Sequence, residues 1–375
     1  MVLKKLFIVV NVEWFFLSHR LPIALEAVRR NYDVTILAIE EENRGDEIRQ
    51  HGLKFIPLPA TRGGSNVFSE MALFRFLYRI YQREKPDIVH HVAIKPILYG
   101  SMAARLAHVP RIVNAISGLG TVFMREDNFS VRNSMIRQFY KFAIKGKSIR
   151  IIVQNQDDMQ FVRSIPGIQH NQVFLIKGSG VDLSEFDFSP PGHKKPLQVV
   201  MASRMLYDKG IKELVEAARI IKSGIHRDVE FILAGKLDAE NVSGIPEEIL
   251  LQWTDEGVVQ WVGHQENIAG LYRQSAIVVL PSYREGFPKA LIEACAIGRP
   301  IVTTDVPGCR EVVDHGINGF LVEKGNAPAL GKAILILLED EGLRESMGLK
   351  ARVKAEQEYS IQQVVEKTFA VYEGA

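Results

Sequence analysis

Short runs of apolar residues recur along the whole chain, each closed by a polar or glycine-bearing stretch and followed by a longer segment of helical period. Leu6–Val10, Val34–Ala38, Phe55–Leu58, Asp87–His91, Ile112–Ile116, Ile151–Val153 and Val173–Ile176 form a first series. Val199–Ala202, Glu230–Ala234, Val258–Val262, Ile277–Leu280, Ile301–Thr304 and Gly316–Val322 form a second. Strands that are apolar from end to end suit parallel sheets covered on both faces. Their alternation with helical segments predicts doubly wound α/β sheets. Helices are expected over about residues 20–30, 70–85, 133–150 and 288–297, from Ile211 onward, and through the tail after Leu343. Asn11–Ser18 reads as a loop. Ser189–Pro196, SPPGHKKP, has the composition of a linker. A chain of 375 residues exceeds one ordinary core. Two domains are therefore expected, 1–188 and 189–355, followed by a helical tail, 356–375.

Composition narrows the classes. Hydrophobic content of 47% and charged content of 24% are those of a soluble globular protein. A net charge of +2 gives no global reason to expect nucleic acid as a partner. Two cysteines make no disulfide framework and fit a reducing compartment. The start, MVLKKLFIVVNVEWFF, pairs a basic beginning with an apolar run, but Asn11 and Glu13 interrupt it and no small-residue cleavage site follows. A first strand is expected there rather than a signal peptide. No apolar run reaches the ~18 residues of a spanning helix. The expectation is a cytoplasmic protein; the basic, aromatic-rich helices 70–85 and 133–150 read either as peripheral seats on the inner face of the plasma membrane or as solvated helices with one face in the core.

Candidate chemistry gathers where predicted strands end. Ile277–Val302, IVVLPSYREGFPKALIEACAIGRPIV, reads as buried strand, polar turn and helix, with Pro288 at the helix start and Gly298 past its end. That order puts Glu285 and the N–H groups of Gly286, Phe287 and Pro288's successor at a strand mouth, where helix N-termini favour phosphate. Glu293 lies in an otherwise apolar helix, where Leu291, Ala294, Cys295 and Ile297 leave little face for solvent. It reads either as the partner of Lys289 on a surface or as a side chain pointing into a polar pocket. Arg204 and Lys209 flank another strand-to-helix turn; two cations there would neutralise a diphosphate, and an arginine can fork two of its oxygens. In the first half no G-x-G-x-x-G follows the first strand, so classical dinucleotide binding loses its main support. Ser18, His19 and Arg20 stand there instead. His90 and His91 face opposite sides of a strand, so at most one enters a given pocket; His91 with Lys95 is the candidate pair. No cluster has metal-ligand spacing.

These motifs resemble family 4 of the retaining glycosyltransferases. Glu285 and Glu293 match its E-x7-E signature, Arg204 to Gly210 its R-x4-K-G pattern, and Gly180–Phe186, GVDLSEF, the turn that leads into its linker. The FFLSHRLP loop and Ser117-Gly118-Leu119-Gly120 are similar to transferases that extend undecaprenyl-diphosphate-linked sugars, such as those acting on bacillosamine. The resemblance implies a GT-B fold: two Rossmann-like, doubly wound domains facing a central cleft, the last helix crossing back to the first. It implies a UDP-sugar donor, expected to be a UDP-N-acetylhexosamine, and a lipid-linked saccharide acceptor. Arg204 and Lys209 would hold the donor's diphosphate, Glu285 its sugar and Glu293 its ribose. Backbone near Gly263 and His264 would take the base, and Ser117 and Gly118 stand where the family has His-Gly against the donor sugar. Ser18, His19, Arg20, His91 and Lys95 would line the acceptor or sugar pocket. No Asp-x-Asp motif occurs, so no divalent cation and no further cofactor are implied. A UDP-sugar 2-epimerase on the same fold and a non-catalytic sugar-nucleotide-binding protein are the alternatives.

Overall fold

The computed structural model describes residues 3–61, 67–118, 138–192, 195–224 and 228–374. The chain forms two compact units, Met1–Ser179 with Gln362–Ala375, and Gly180–Ile361. Each is built on one parallel sheet. The first sheet holds β1 (Lys4–Val12), β2 (Tyr32–Ile39), β3 (Lys54–Pro57), β4 (Ile88–Val92), β5 (Arg111–Ile116), β6 (Ile149–Val153) and β7 (Val173–Leu175), in the order β3-β2-β1-β4-β5-β6-β7. The second holds β8 (Leu197–Ala202), β9 (Val229–Ala234), β10 (Gln260–Trp261), β11 (Ile277–Leu280), β12 (Ile301–Thr304) and β13 (Gly319–Val322), in the order β10-β9-β8-β11-β12-β13. Among the described residues, thirteen strands thus occupy the thirteen apolar runs. Leu6 to Val10 and Ile277 to Leu280 are buried throughout, as strands covered on both faces must be.

Strand order has a consequence for function. In the first sheet the chain runs outward to one side from β1 and to the other from β4, and Ile8 of β1 pairs with His90 of β4. In the second, β8 and β11 are the corresponding neighbours, with Val199 opposite Ile277. Connections diverge at each of these pairs and leave a crevice at the strands' carboxyl ends, the usual ligand position in such sheets. The loops after β1, β4, β8 and β11 are therefore the ones to inspect.

Two expectations are corrected. Asn11–Ser18 is not a loop: β1 runs to Val12 and a helix, Glu13–His19, follows at once. Its stabilisation is tertiary. Phe16 is fully buried, and the buried Glu13 carboxylate accepts the N–H groups of Glu41 (2.9 Å) and Glu42. Second, the division between units falls at Gly180, ahead of the proline-rich segment. Val181 donates its N–H to Tyr359 O (2.8 Å), Ser189 to Ile297 O (3.0 Å) and Gly192 to Ser275 O (3.1 Å). Arg299, wholly buried, donates to Tyr272 O (2.7 Å) and to the Ser189 hydroxyl. These anchors attach a segment of linker composition to the second core. The tail is helical in two pieces: the helix Glu341–Glu358 belongs to the second unit, and Ile361–Glu373 packs almost wholly with the first. There Arg30 lies over the Phe369 ring at 4.1 Å, and Arg111 donates to the Tyr372 carbonyl.

The expected helix 70–85 is Val67–Glu84. Of the expected helix 133–150, residues 133–137 lie outside the described residues, and 138–143 are helical with Tyr140 buried and Phe139 and Phe142 exposed. Among the described residues, no helix is long and apolar enough to cross a membrane.

Candidate active site

In the second unit the loops after β8 and β11 are joined. Tyr283 donates its N–H to the Asp208 carbonyl (2.9 Å), and its hydroxyl donates to Glu213 Oε1 (2.7 Å). Lys209 Nζ consequently reaches Glu285 Oε1 at 2.5 Å, and the Ser282 hydroxyl donates to the same oxygen at 2.7 Å. The two side chains are only 19% and 12% exposed, so their attraction is less screened than that of a surface pair. Gly210 follows with φ +76 and starts the helix Ile211–Ser223; a Cβ there would stand 2.1 Å from Pro281 O. Only glycine allows so close an approach of the two loops.

Arg204 is held from the other side by Asp238, Nη1 to Oδ2 at 2.5 Å. Asp238 is buried and lies in the loop after β9. Sequence reasoning missed it, although an acid within a glycine-bearing loop after a strand was a usable signal. Gly308 was also missed. Its φ is +82, and a Cβ would meet Gly286 O at 2.6 Å and Glu285 O at 2.8 Å, so it lets the loop after β12 close beneath the glutamate turn. Thr304 Oγ1 donates to the Ser282 carbonyl and secures the same contact.

Pro288 caps the helix Lys289–Ile297, and no side chain caps it. The first-turn N–H groups and the dipole's positive end therefore face the turn carrying Glu285 and Gly286, a disposition that favours an anion. Phe287 is buried edge-on against Tyr359 (centroids 5.5 Å apart), which fixes the turn's direction. Glu293 is buried on this helix, and Lys289 Nζ stands 3.4 Å from its Oε1. The i,i+4 pair exists, but on a buried acid rather than at the surface. Burial pushes the Glu293 carboxyl up to about 7, and the Lys289 charge offsets some of that rise. Gly263 has φ +66 with open space where a Cβ would be; its carbonyl accepts Gly235 N–H (2.7 Å), and His264 beside it is exposed.

The shift at Glu293 predicts a pH dependence of stability. A carboxyl whose folded pKa is raised contributes stability in full below its ordinary value of 4.5, and that stability is lost as pH rises through about 7. The loss amounts to roughly 3 kcal/mol. In Glu293→Gln this component is absent. The unfolding free energy of the variant relative to wild type should therefore rise between about pH 5 and about pH 8 in urea titrations. A difference constant over that range would contradict the burial of an ionisable group.

The first unit assembles a second set of side chains. Ser18 and His19 end the helix Glu13–His19, the Ser18 hydroxyl within 2.5 Å of His19 Nδ1 and the imidazole stacked on Phe15 at 4.2 Å. Arg20 joins this helix to Leu21–Arg29 and is buried. Lys95 follows β4 and pairs with Glu70 Oε1 at 3.1 Å; it edges a narrow apolar crevice that includes Val9, Leu58, Leu73 and Leu77. Ala93, with φ +74, and a π-turn over Pro96–Gly100 bracket it, backbone departures of a kind found at functional sites. Ser117 and Gly118 (φ +111) follow β5, half-buried; Leu119 and Gly120 lie outside the described residues.

His91 is corrected. It is fully buried, with Nε2 bonded to the Tyr81 hydroxyl and Nδ1 to Asn114 Oδ1, both at 3.0 Å. Burial pushes its pKa down to about 4, so it is a neutral core histidine with both nitrogens occupied. Gly100 packs against it so closely that a Cβ would stand 2.4 Å from Nε2.

Comparison with known proteins agrees with this architecture. The model of the family "Glycosyl transferases group 1" matches residues 184–354, and that of "Glycosyl transferase 4-like" matches residues 5–155. Over 357 residues the chain is 30% identical to the N,N'-diacetylbacillosaminyl-diphospho-undecaprenol alpha-1,3-N-acetylgalactosaminyltransferase of Campylobacter jejuni, an alignment covering 90% of this chain and 92% of that protein. It is 25% identical over 358 residues to the UDP-Gal:alpha-D-GlcNAc-diphosphoundecaprenol alpha-1,3-galactosyltransferase of Escherichia coli, covering 91% and 89%. Its fold is similar to that of Anabaena HepE, solved in complex with UDP and glucose, with a TM-score of 0.80 at 19% identity, covering 99% of this chain and 100% of that one.

Proposed function

Because this chain belongs to the group 1 glycosyl transferases and has their GT-B fold, we propose that it moves a sugar, with retention, from a UDP-sugar to a polyprenyl-diphosphate-linked saccharide. The observation that carries this reading is the Arg204, Lys209 and Glu285 arrangement at the β8/β11 crevice, beside an uncapped helix start. The donor is proposed to be a UDP-N-acetylhexosamine, in keeping with the N-acetylgalactosaminyl group named for the Campylobacter relative, whereas the Escherichia coli relative is named for UDP-Gal. Arg204 and Lys209 bind the diphosphate. Glu285, which holds Lys209, orients the sugar; Glu293 takes the ribose hydroxyls, and backbone by Gly263 and His264 the base. In the transfer step the anomeric C–O bond to UDP breaks, with its electron pair leaving on the diphosphate. The acceptor hydroxyl forms the new bond on the same face, and its proton passes to the departing phosphate oxygen. Preorganised positive charge where negative charge develops supplies the acceleration, and the reading calls for no metal.

The first unit would take the acceptor. His91, the strand histidine offered for such a pocket, is buried with both ring nitrogens hydrogen-bonded, which weighs against an epimerase reading that would use it there. The same unit exposes Phe68, Met71, Phe139 and Phe142 among Arg75, Arg79, Arg83 and Arg105, and Arg105 lies over the Phe142 ring at 4.8 Å. Apolar side chains amid cations fit the surface of an anionic bilayer, so peripheral membrane contact on the cytoplasmic face is part of the proposal.

The test is transfer from a panel of labelled UDP- and GDP-sugars to a synthetic polyprenyl-diphosphate N-acetylhexosamine, with a soluble saccharide alongside and the enzyme co-sedimented with anionic vesicles. Product on the lipid acceptor from a UDP-N-acetylhexosamine is expected, with the enzyme in the vesicle pellet. Product on the soluble sugar alone would remove the lipid acceptor, a supernatant enzyme the membrane contact, and an epimerised donor the transferase.

A further inference from the structure

Arg20 stands out in the first unit as a buried cation with no acid to balance it. Its side chain is only 4% exposed. Nη1 donates to the His19 carbonyl at 3.0 Å, Phe15 lies 6.0 Å from the guanidinium carbon, and Nε has no partner. Among the described residues no carboxylate forms an ion pair with it. Glu13, the acid of the adjoining helix, is occupied by the N–H groups of Glu41 and Glu42. Nearby His90 bonds the Tyr372 hydroxyl through Nδ1 at 2.6 Å and leaves Nε2 unpartnered. Both groups are close enough for the Arg20 charge to disfavour His90 protonation and Tyr372 to favour the guanidinium charge. Burial lowers the Arg20 pKa to about 10, which leaves it charged at neutral pH.

Burying a charge without a partner is costly, and an arginine is retained in such a position at a net loss unless an anion completes it. The backbone is locked for the purpose. Arg20 N–H donates to Phe16 O (2.8 Å), and its carbonyl accepts Ile23 N–H (3.1 Å) and Ala24 N–H (3.2 Å). The residue is also the N-cap of the nine-residue helix Leu21–Arg29, which no side chain caps, so the dipole adds to its charge. It follows β1 at the β1/β4 divergence, where ligands of such sheets lie. From these observations we infer that Arg20 is the centre of a phosphate-type anion site, and that it holds the phosphate groups of the lipid-linked acceptor. The acceptor assignment rests on the function proposed above; the anion site does not. His90 and Tyr372, the latter brought by the C-terminal helix, are positioning residues for it.

The experiment compares wild type, Arg20→Met and Arg20→Lys, each saturated with UDP so that the donor site is occupied. Thermal unfolding is followed with and without inorganic pyrophosphate, and KM is measured separately for acceptor and donor. Removing an uncompensated charge should leave Arg20→Met at least as stable as wild type. Pyrophosphate should raise the Tm of wild type by a few degrees, that of Arg20→Lys by less, and that of Arg20→Met not at all. KM for the acceptor should rise about tenfold or more in Arg20→Met, with KM for the donor unchanged. A variant that unfolds at lower temperature, with no pyrophosphate effect even on wild type, would make Arg20 a structural residue and overturn the site. A rise in donor KM alone would assign the anion to UDP and overturn the acceptor role. If no lipid-linked acceptor is ever used while the Arg20-dependent shift persists, the anion site stands and its assignment to that acceptor falls.

Discussion

Lys209→Met should lower kcat by about 10²–10³-fold, with the fold intact. The lysine Nζ, 2.5 Å from Glu285 Oε1, supplies positive charge at the β8/β11 crevice, where the proposed leaving diphosphate develops its negative charge. Methionine keeps most of the length and packing of the side chain and removes the charge. Glu285 keeps the Ser282 hydroxyl as a donor at 2.7 Å, which limits the loss of stability to about 1–2 kcal/mol. Turnover is to be measured with the donor identified by the panel, and unfolding by urea titration at the same pH. Wild-type turnover in the variant would sink the diphosphate role. A large loss of stability accompanying the loss of turnover would recast the pair as structural.

Gly210→Ala is expected to cost stability on the order of 3 kcal/mol or more. Two terms add. The residue has φ +76, where an L side chain is strained, and the new Cβ would stand 2.1 Å from Pro281 O, a backbone atom with little freedom to retreat. Gly257→Ala is the control, since that glycine has φ +67 but nothing within 4 Å of the added Cβ. It should show the backbone term alone, about 1–2 kcal/mol. Equal effects in the two variants, read by urea denaturation, would mean that the loops after β8 and β11 are not in contact as described. Any Gly210→Ala protein that folds should also lose activity, because relieving the clash moves Lys209 away from Glu285.

The legible part of this chain is the part encoded by local pattern. Runs such as Leu6–Val10 and Ile277–Leu280 announce buried parallel strands because a strand covered on both faces admits no polar alternation. Glycine and proline likewise announce the helix Lys289–Ile297, since Pro288 and Gly298 each suit one end only. Composition was a poorer guide at Ser189–Pro196, a stretch rich in linker residues that hydrogen bonds to Ile297, Ser275 and Arg299 attach to the second core. Local pattern also failed at Glu13–His19, whose helix depends on a carboxylate contact nearly thirty residues away in sequence.

By itself, then, the sequence determined the two α/β sheets, their strands and the residue types standing at the strand ends, because each of these follows from periodicity within a few residues. Only the tertiary structure decided which of those residues meet. Strand order brings the loops after β8 and β11 together and thereby joins Lys209 to Glu285, residues far apart along the chain. It turned His91 into the core between Tyr81 and Asn114, although the strand pattern allowed either face. It also buried Arg20 with no ion-paired acid among the described residues, when the sequence around it reads as an ordinary charged helix start. Pairings of this kind depend on contacts across the whole fold, and a local pattern holds no record of which distant segment will complete them.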